Sequence, residues 1–337
     1  QPVTDLSTSD ASHLLVIAFD AEKTLRDISQ FVPDGMEVVT LDELRLPANR
    51  LTNPRKYLDP LNFATNFAFF RDVPDGRGGR LHTRVATANY WHRYGGENIT
   101  LWLTLIDEHG TAVAEWDLAL PDSPGGVTID SAEVRARFDL DDFTGQLFIH
   151  AIGATGHDIV KYALDTYGDD PCDLSCTHDA NAWPADFFAG LPAPKDDERV
   201  ILWIQNSHPC PIPAGAVGLN LMGDDAVAWL GREVEPFGTY ALDTAELLPD
   251  AQWPQQIEVQ AGKHIVRPRY EVEIRNDDAV ARRRIAHVNV ERTDLEPDTR
   301  IAEIGNLMSK GFILPAPVLP RDRFRSIALP TPMATTQ

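Results

Sequence analysis

From Asn62 onward, apolar and polar residues alternate in short bursts between clusters of Gly, Pro, Asn and Asp, which is the pattern of strands buried on one face. Dense aromatics (Phe63, Phe67, Phe69, Phe70) open the series, closed by a Pro/Gly loop over 72–79. The spacing predicts strands over 83–91, 99–106, 112–120, 127–129, 147–152, 159–166 and 200–205, with Asp107-Glu108-His109-Gly110 as a hairpin turn. Turn signals recur roughly every 8–12 residues, the rhythm of a sandwich. Before this series, a strand over 14–19, a helix over 21–31 and a strand over 36–41 are expected. That lead-in is too small to hold a core alone and is expected to pack on the first domain.

The pattern repeats. Ile129-Asp130-Ser131-Ala132-Glu133-Val134 is matched by Leu242-Asp243-Thr244-Ala245-Glu246-Leu247, 113 residues on. Gln146-Leu147-Phe148-Ile149 is matched by Gln256-Ile257-Glu258-Val259 at 110, and Asn89-Tyr90-Trp91-His92 by Gln205-Asn206-Ser207-His208 at 116. Three matches in order imply a duplicated unit of about 110 residues, an ordinary domain size. Hairpin-length connections favour antiparallel pairing. The fold class expected is mostly β: two tandem antiparallel β-sandwich domains, immunoglobulin-like in pattern, with an N-terminal α/β lead-in and an extended Pro-rich tail. Residues 1–54 form the lead-in, 55–170 the first sandwich, 171–198 a linker loop, 199–310 the second sandwich and 311–337 the tail.

Charge narrows the partners. The 337 residues carry 51 acidic against 30 basic side chains, a formal net charge of −21, which disfavours nucleic acid and anionic lipid. The basic run Arg282-Arg283-Arg284 reads as a solvated strand end. No apolar run approaches the roughly 20 residues of a membrane helix, so direct membrane insertion is not expected. Cys172 and Cys176 are close enough for a loop disulfide, which points toward a periplasmic or extracellular setting and leaves Cys210 over. The chain begins at Gln1, as one does after removal of a leader or a tag, and its Pro-rich end fits one piece of something longer.

Candidate chemistry is sparse. Cys172, Cys176, His178 and Asp179 lie within eight residues and, with His208, could ligate zinc or iron at the domain junction. Against that, the C-x-x-x-C spacing is not the usual zinc knuckle, and a disulfide or plain buried thiols explain it as well. The acidic pairs Asp141-Asp142, Asp169-Asp170 and Asp224-Asp225 are candidate calcium loops without EF-hand spacing. His92 and His208 each follow a strand beside polar or aromatic residues (Trp91, Asn206), and loops at sandwich ends often bind. His150 and His157-Asp158 flank one turn, with no nucleophile at recognisable spacing. Trp183 and Trp253, each followed by Pro, are candidates to anchor a protein partner or stack on a sugar. There is no G-x-S-x-G, G-x-x-x-x-G-K-[ST], H-E-x-x-H or helix-opening G-x-G-x-x-G.

The function expected from these residues is non-catalytic binding or assembly, as an accessory subunit or partner-binding module that needs no cofactor and takes a protein partner. Two alternatives stay open: a metal-dependent enzyme with its Cys/His site at the domain junction, and a carbohydrate-binding protein.

Overall fold

The computed structural model describes residues 3–16, 21–40, 45–170, 173–179, 184–266, 268–276, 279–291, 319–323 and 326. Contacts divide the chain into two units, Gln1–Asn62 and Phe63–Gln337. In the first unit β1 (His13–Val16), α1 (Ala21–Ile28) and β2 (Glu37–Thr40) form a strand–helix–strand unit whose strands pair in parallel, in the register His13↔Glu37 to Val16↔Thr40. Its last residue, the buried Asn62, donates through Nδ2 to the carbonyls of Asn53, Lys56 and Tyr57 and so fixes the preceding turn.

The second unit is mostly β, in antiparallel sheets. It begins with β3 (Thr65–Pro74), β4 (Arg80–Ala88), β5 (Thr100–Ile106), β6 (Ala112–Ala119) and β7 (Gly126–Asp130). A helix, α2 (Ser131–Phe138), precedes β8 (Phe143–Ile152), β9 (Tyr162–Gly168) and β10 (Ser175–Asp179). One layer runs β6-β5-β8-β3 and the other β7-β4-β9-β10. They are continuous where β3 residues Asp72–Pro74 pair with β4 residues Arg80–His82.

The same plan then recurs. It uses β11 (Ala185–Pro192), β12 (Glu198–Gln205), β13 (Gly218–Leu221), β14 (Ala228–Trp229), β15 (Thr239–Asp243), α3 (Thr244–Leu247), β16 (Gln256–Ile265), β17 (Arg269–Asn276) and β18 (Ala279–His287). Its layers run β14-β13-β16-β11 and β15-β12-β17-β18, strand for strand the order of the first. A last strand, β19 (Asn289–Glu291), is added beside β11. Here the two layers are separate sheets. Pro192 and Pro194 have no N–H to donate to a hairpin ladder, and Ala193 N and Pro194 O bond to Gln255 O and Trp253 N instead.

Alternation explains which faces are buried. Leu101, Leu103 and Leu105 of β5 meet Leu147, Ile149 and Ala151 of β8 inside the first sandwich, all fully buried. Each leucine so withdrawn contributes about 1.5–3 kcal/mol. Leu219, Ile257, Val259 and Leu202 fill the second core in the same way. Both copies start their helix identically: Asp130 accepts from Ala132 N at 3.0 Å and Asp243 from Ala245 N at 3.1 Å, so each aspartate caps an otherwise orphaned donor. Asp243→Ala should cost about 1 kcal/mol, read as a lower urea midpoint with an unchanged m-value.

Several expectations change. The order is not that of an immunoglobulin sandwich, where the second strand lies between the first and the fifth. Here the second strand of each copy lies between the fifth and seventh, and the first sits beside the sixth. The stretch read as a linker, 171–198, holds β10 and β11, whose alternation is broken up by prolines and polar residues. One internal match is also shifted: the pairs Arg84↔Asp130 and Ile201↔Asp243 align Asn89 with Asn206, not with Gln205. His208 therefore occupies the place of Trp91, and His92 has no histidine counterpart. Most of the tail, 311–337, lies outside the described residues.

The copies pack head to tail. The outer face of β3 and β8 in the first lies on the outer face of β12 and β17 in the second, with Phe69 against Trp203 at 5.1 Å and Phe67 against Phe237 at 6.4 Å.

Candidate functional site

The densest polar chemistry lies in this seam. Side chains at alternate positions of a strand share a face, so Arg269, Glu271 and Glu273 of β17 all turn toward the first copy. Glu271, only 1% exposed, accepts from Arg71 Nη1 at 2.7 Å and Trp203 Nε1 at 3.2 Å, with Arg283 Nε at 3.2 Å from its other oxygen. Arg269 is fully buried; its Nη2 donates to Tyr162 Oη at 3.2 Å and lies 3.6 Å from Asp179. Tyr162 in turn donates to Phe67 O at 2.6 Å, covering an outward carbonyl of β3. Gln146 Nε2 donates to the carbonyls of Asn206 and Phe237, each at 2.8 Å. A buried charge without a partner is very costly, so every ion in the seam fixes where its partner must stand.

A second contact row lies beside it. Asp173 Oδ1 accepts from Arg283 N at 2.9 Å, Ser175 Oγ accepts from Ile285 N at 3.0 Å, and Thr177 Oγ1 is 2.7 Å from His287 Nδ1. Asp173 and Ser175 thus take two N–H groups on the outer edge of β18 that would otherwise template another strand, and Thr177 continues the row onto the His287 ring. Below them, Arg77 of the β3–β4 turn pairs with Asp173 and donates to Ala281 O at 2.7 Å. Asp75, in the same turn, is buried, which pushes its carboxyl up. The Arg77 and Gly79 N–H groups, with the charges of Arg77 and Arg283, outweigh that and hold it below the usual carboxylate range. Its contribution to stability is therefore complete above the ordinary carboxylate pKa and is lost as pH falls through the lower folded value. Protection of the Arg77 and Gly79 amides from exchange should hold down through the ordinary carboxylate pKa and be lost below it.

The residues singled out from sequence are dispersed. Cys176 and His178 share one face of β10, and Asp179 faces the other way toward Arg269. His178 packs edge-on against His287 at 5.2 Å. The Cys176 thiol is pushed up by its hydrogen bond to Asp165, then by burial and by the Asp165 charge. His208 stands at the end of β12, its N bonded to Asn206 Oδ1 at 3.0 Å. Among the described residues, no three His, Cys, Asp or Glu side chains converge on a metal position, and Cys172, the fifth ligand expected beside Cys176, His178, Asp179 and His208, lies outside them. Cys176 and Cys210 are free thiols; Cys172 and Trp183 lie outside the described residues.

Burial reassigns the binding candidates. Trp91 is 0% exposed and plugs the end of the first sandwich, its Nε1 donating to His157 O at 2.9 Å. His92 is half-buried in that plug, its N on Asn89 Oδ1. Asn206 is buried as a loop organiser, donating to the carbonyls of Cys210 and Glu235. Trp253 is half-buried under Lys195, whose Nζ lies 5.0 Å from the ring centre. One member of two of the acidic pairs meets an arginine, Asp142 with Arg80 at 2.6 Å and Asp170 with Arg77 at 3.4 Å, while Asp224 accepts from Ala226 N at 3.1 Å.

The arrangement nearest to a general base is His82, with Nδ1 2.8 Å from the buried Asp72 and Nε2 3.5 Å from Asp169. Carboxylates face it on both sides, and among the described residues no hydroxyl or thiol is bonded to it. Asp72 also accepts from Arg80 Nε at 2.7 Å, so the cluster braces the β3–β4 hairpin.

Arg71, Trp203, Arg269 and Glu271 carried no sequence signal. Alternating charge along β17 reads as a solvated face, and only the partner 200 residues away makes it an interior.

No protein-family model matches the chain, and no curated protein matches it. Among solved structures, the crystal structure of red sea bream transglutaminase is similar at a TM-score of 0.14 and 9% identity, over 68% of this chain and 32% of that one. The chain thus spans about a third of that protein's length, and so distant a likeness carries no argument.

Proposed function

We infer that this protein is a non-catalytic binding and assembly module, an accessory subunit whose two sandwiches act as one rigid body. The observation that supports this is the seam. Its buried charged groups pair across the copies, Arg71 with Glu271 at 2.7 Å and Arg269 with Asp179 at 3.6 Å, and so hold the two sandwiches together. A rigid double sandwich presents its loops and outer faces at fixed spacing, which lowers the ordering cost of binding.

The test is cross-linking and native mass spectrometry of the protein in extracts of its source. The expected result is a partner at fixed stoichiometry, lost when the seam is broken by Glu271→Ala. A chain that migrates alone, and that turns over a compound in a hydrolase and lyase panel with the activity lost in His82→Ala, overturns the reading. Stoichiometric zinc or iron lost with His178→Ala would favour the metal-enzyme alternative instead.

A further inference from the structure

The outer sheet face that the first copy buries in the seam is a different surface in the second. Where the first copy has Phe148 and His150 on β8, the aligned positions of β16 are Glu258 and Gln260, both half-exposed. Strand register puts Trp229, Gly218, Gln260 and Phe187 in one row across β14, β13, β16 and β11. The inward neighbours Leu219, Val259, Phe188 and Leu230 are core residues, so this row faces outward.

Two features make it a prepared surface. Trp229 is 49% exposed and its ring lies against Gly218: a Cβ there would lie 2.7 Å from Trp229 Cε3 and 2.6 Å from Val227 Cγ1, so glycine leaves the indole room to rest on the sheet. Beside it, the buried Asn220 donates to Glu258 Oε2 at 2.6 Å and to Asp224 O at 2.9 Å, and its Oδ1 accepts from Gln260 Nε2 at 2.8 Å. That hub presets a carboxylate and an amide on the face and anchors the acidic turn at Asp224-Asp225.

We propose that this face of the second sandwich binds a neutral oligosaccharide, with the sugar's C–H face stacked on Trp229 and its hydroxyls on Glu258 and Gln260. A half-exposed indole lying against the sheet offers apolar area at little entropic cost. The amide and carboxylate both accept from hydroxyls, the amide also donates, and few such groups suffice to orient a ligand. Glu258 and the Asp224-Asp225 turn, on a chain of net charge −21, repel polyanions, which leaves an uncharged polymer as the fitting partner. The row crosses three strand spacings, roughly 14 Å, the reach of an oligosaccharide more than of a single sugar.

The assignment rests on the non-catalytic binding role and gives it a ligand class. The test is calorimetric titration of the full chain with cello-, xylo-, manno-, malto- and chito-hexaose, each to about 10 mM, beyond the millimolar range of weak specific ligands. At least one should saturate, with Trp229→Ala weakening it about tenfold or more. Glu258→Gln, which keeps the size, should weaken it several-fold. Tyr94→Ala, an exposed aromatic of the other copy, should bind as the wild type does. No saturation by any hexasaccharide, or equal affinity of Trp229→Ala and wild type, overturns the site while leaving a protein-binding role standing. Cleavage of a bound hexasaccharide would keep the site and overturn the non-catalytic reading.

Discussion

Glu271→Ala should destabilise the second unit by about 3–5 kcal/mol, the cost of breaking a buried ion pair by removing one partner. Arg71, 2.7 Å from the lost carboxylate and nearly buried, would keep its charge with nothing to answer it, and Trp203 Nε1 would lose its acceptor. Against a whole-domain stability of about 5–15 kcal/mol, this is a large fraction. The double variant Arg71→Met/Glu271→Leu should recover most of the loss, because it removes both desolvated charges. Arg283 would still have Glu273 at 3.4 Å. Guanidinium unfolding of both proteins decides the matter. A single variant as stable as wild type would mean that the seam ions are solvated and not structural.

Trp91→Ala should cost a similar amount, about 3–5 kcal/mol, as large-to-small changes in well-packed cores do. The indole is fully buried, lies tilted against Tyr90 at 4.2 Å and gives its N–H to His157 O. Nothing around it can collapse easily, since Gly96 already packs tightly beside Ile99 and Thr155. The measurement is a denaturation midpoint, together with saccharide affinity in the fraction that remains folded. Lost stability with unchanged affinity is the expected pair. Lost affinity without lost stability would make Trp91 a ligand contact after all.

What could be read in advance was local. The segments at Asp130 and Asp243 stood out as a repeat because a capping aspartate, an alanine and a glutamate recur at the same spacing, and each opens a helix. The Asp107–Gly110 turn was equally plain, Asp107 Oδ1 accepting from His109 N and Thr111 N. Strands over 99–106 and 112–120 fell within a residue of β5 and β6 because their apolar positions alternate cleanly. β10 and β11 were missed for the opposite reason. Ser175–Asp179 is polar on both faces because one face is spent on the edge of β18, and Ala185–Pro192 ends in a proline. The seam was illegible on any local rule: Arg71 and Glu271 are ordinary strand residues until the fold brings them together. Trp91 was misjudged because the end of an expected strand looks like an exposed tip, and nothing nearby in sequence says that the tip folds inward.

The head-to-tail packing has one more consequence, which concerns how long such a stack can grow. A heterologous contact, one face of a unit on a different face of the next, does not close on itself and could in principle add units without limit. Here the two terminal faces are mismatched to the contact in between. Where the buried face of the second copy carries Trp203, Arg269 and Glu271, the register places Ala86, Ala163 and Asp165 in the first. On the other terminus, Glu258 and Gln260 replace the phenylalanine and histidine of β8. A third unit would find neither the cations to meet its acids nor the aromatics to cover. The duplication is a polymer stopped at two, and the substitutions that end it leave the surface on which Trp229 stands.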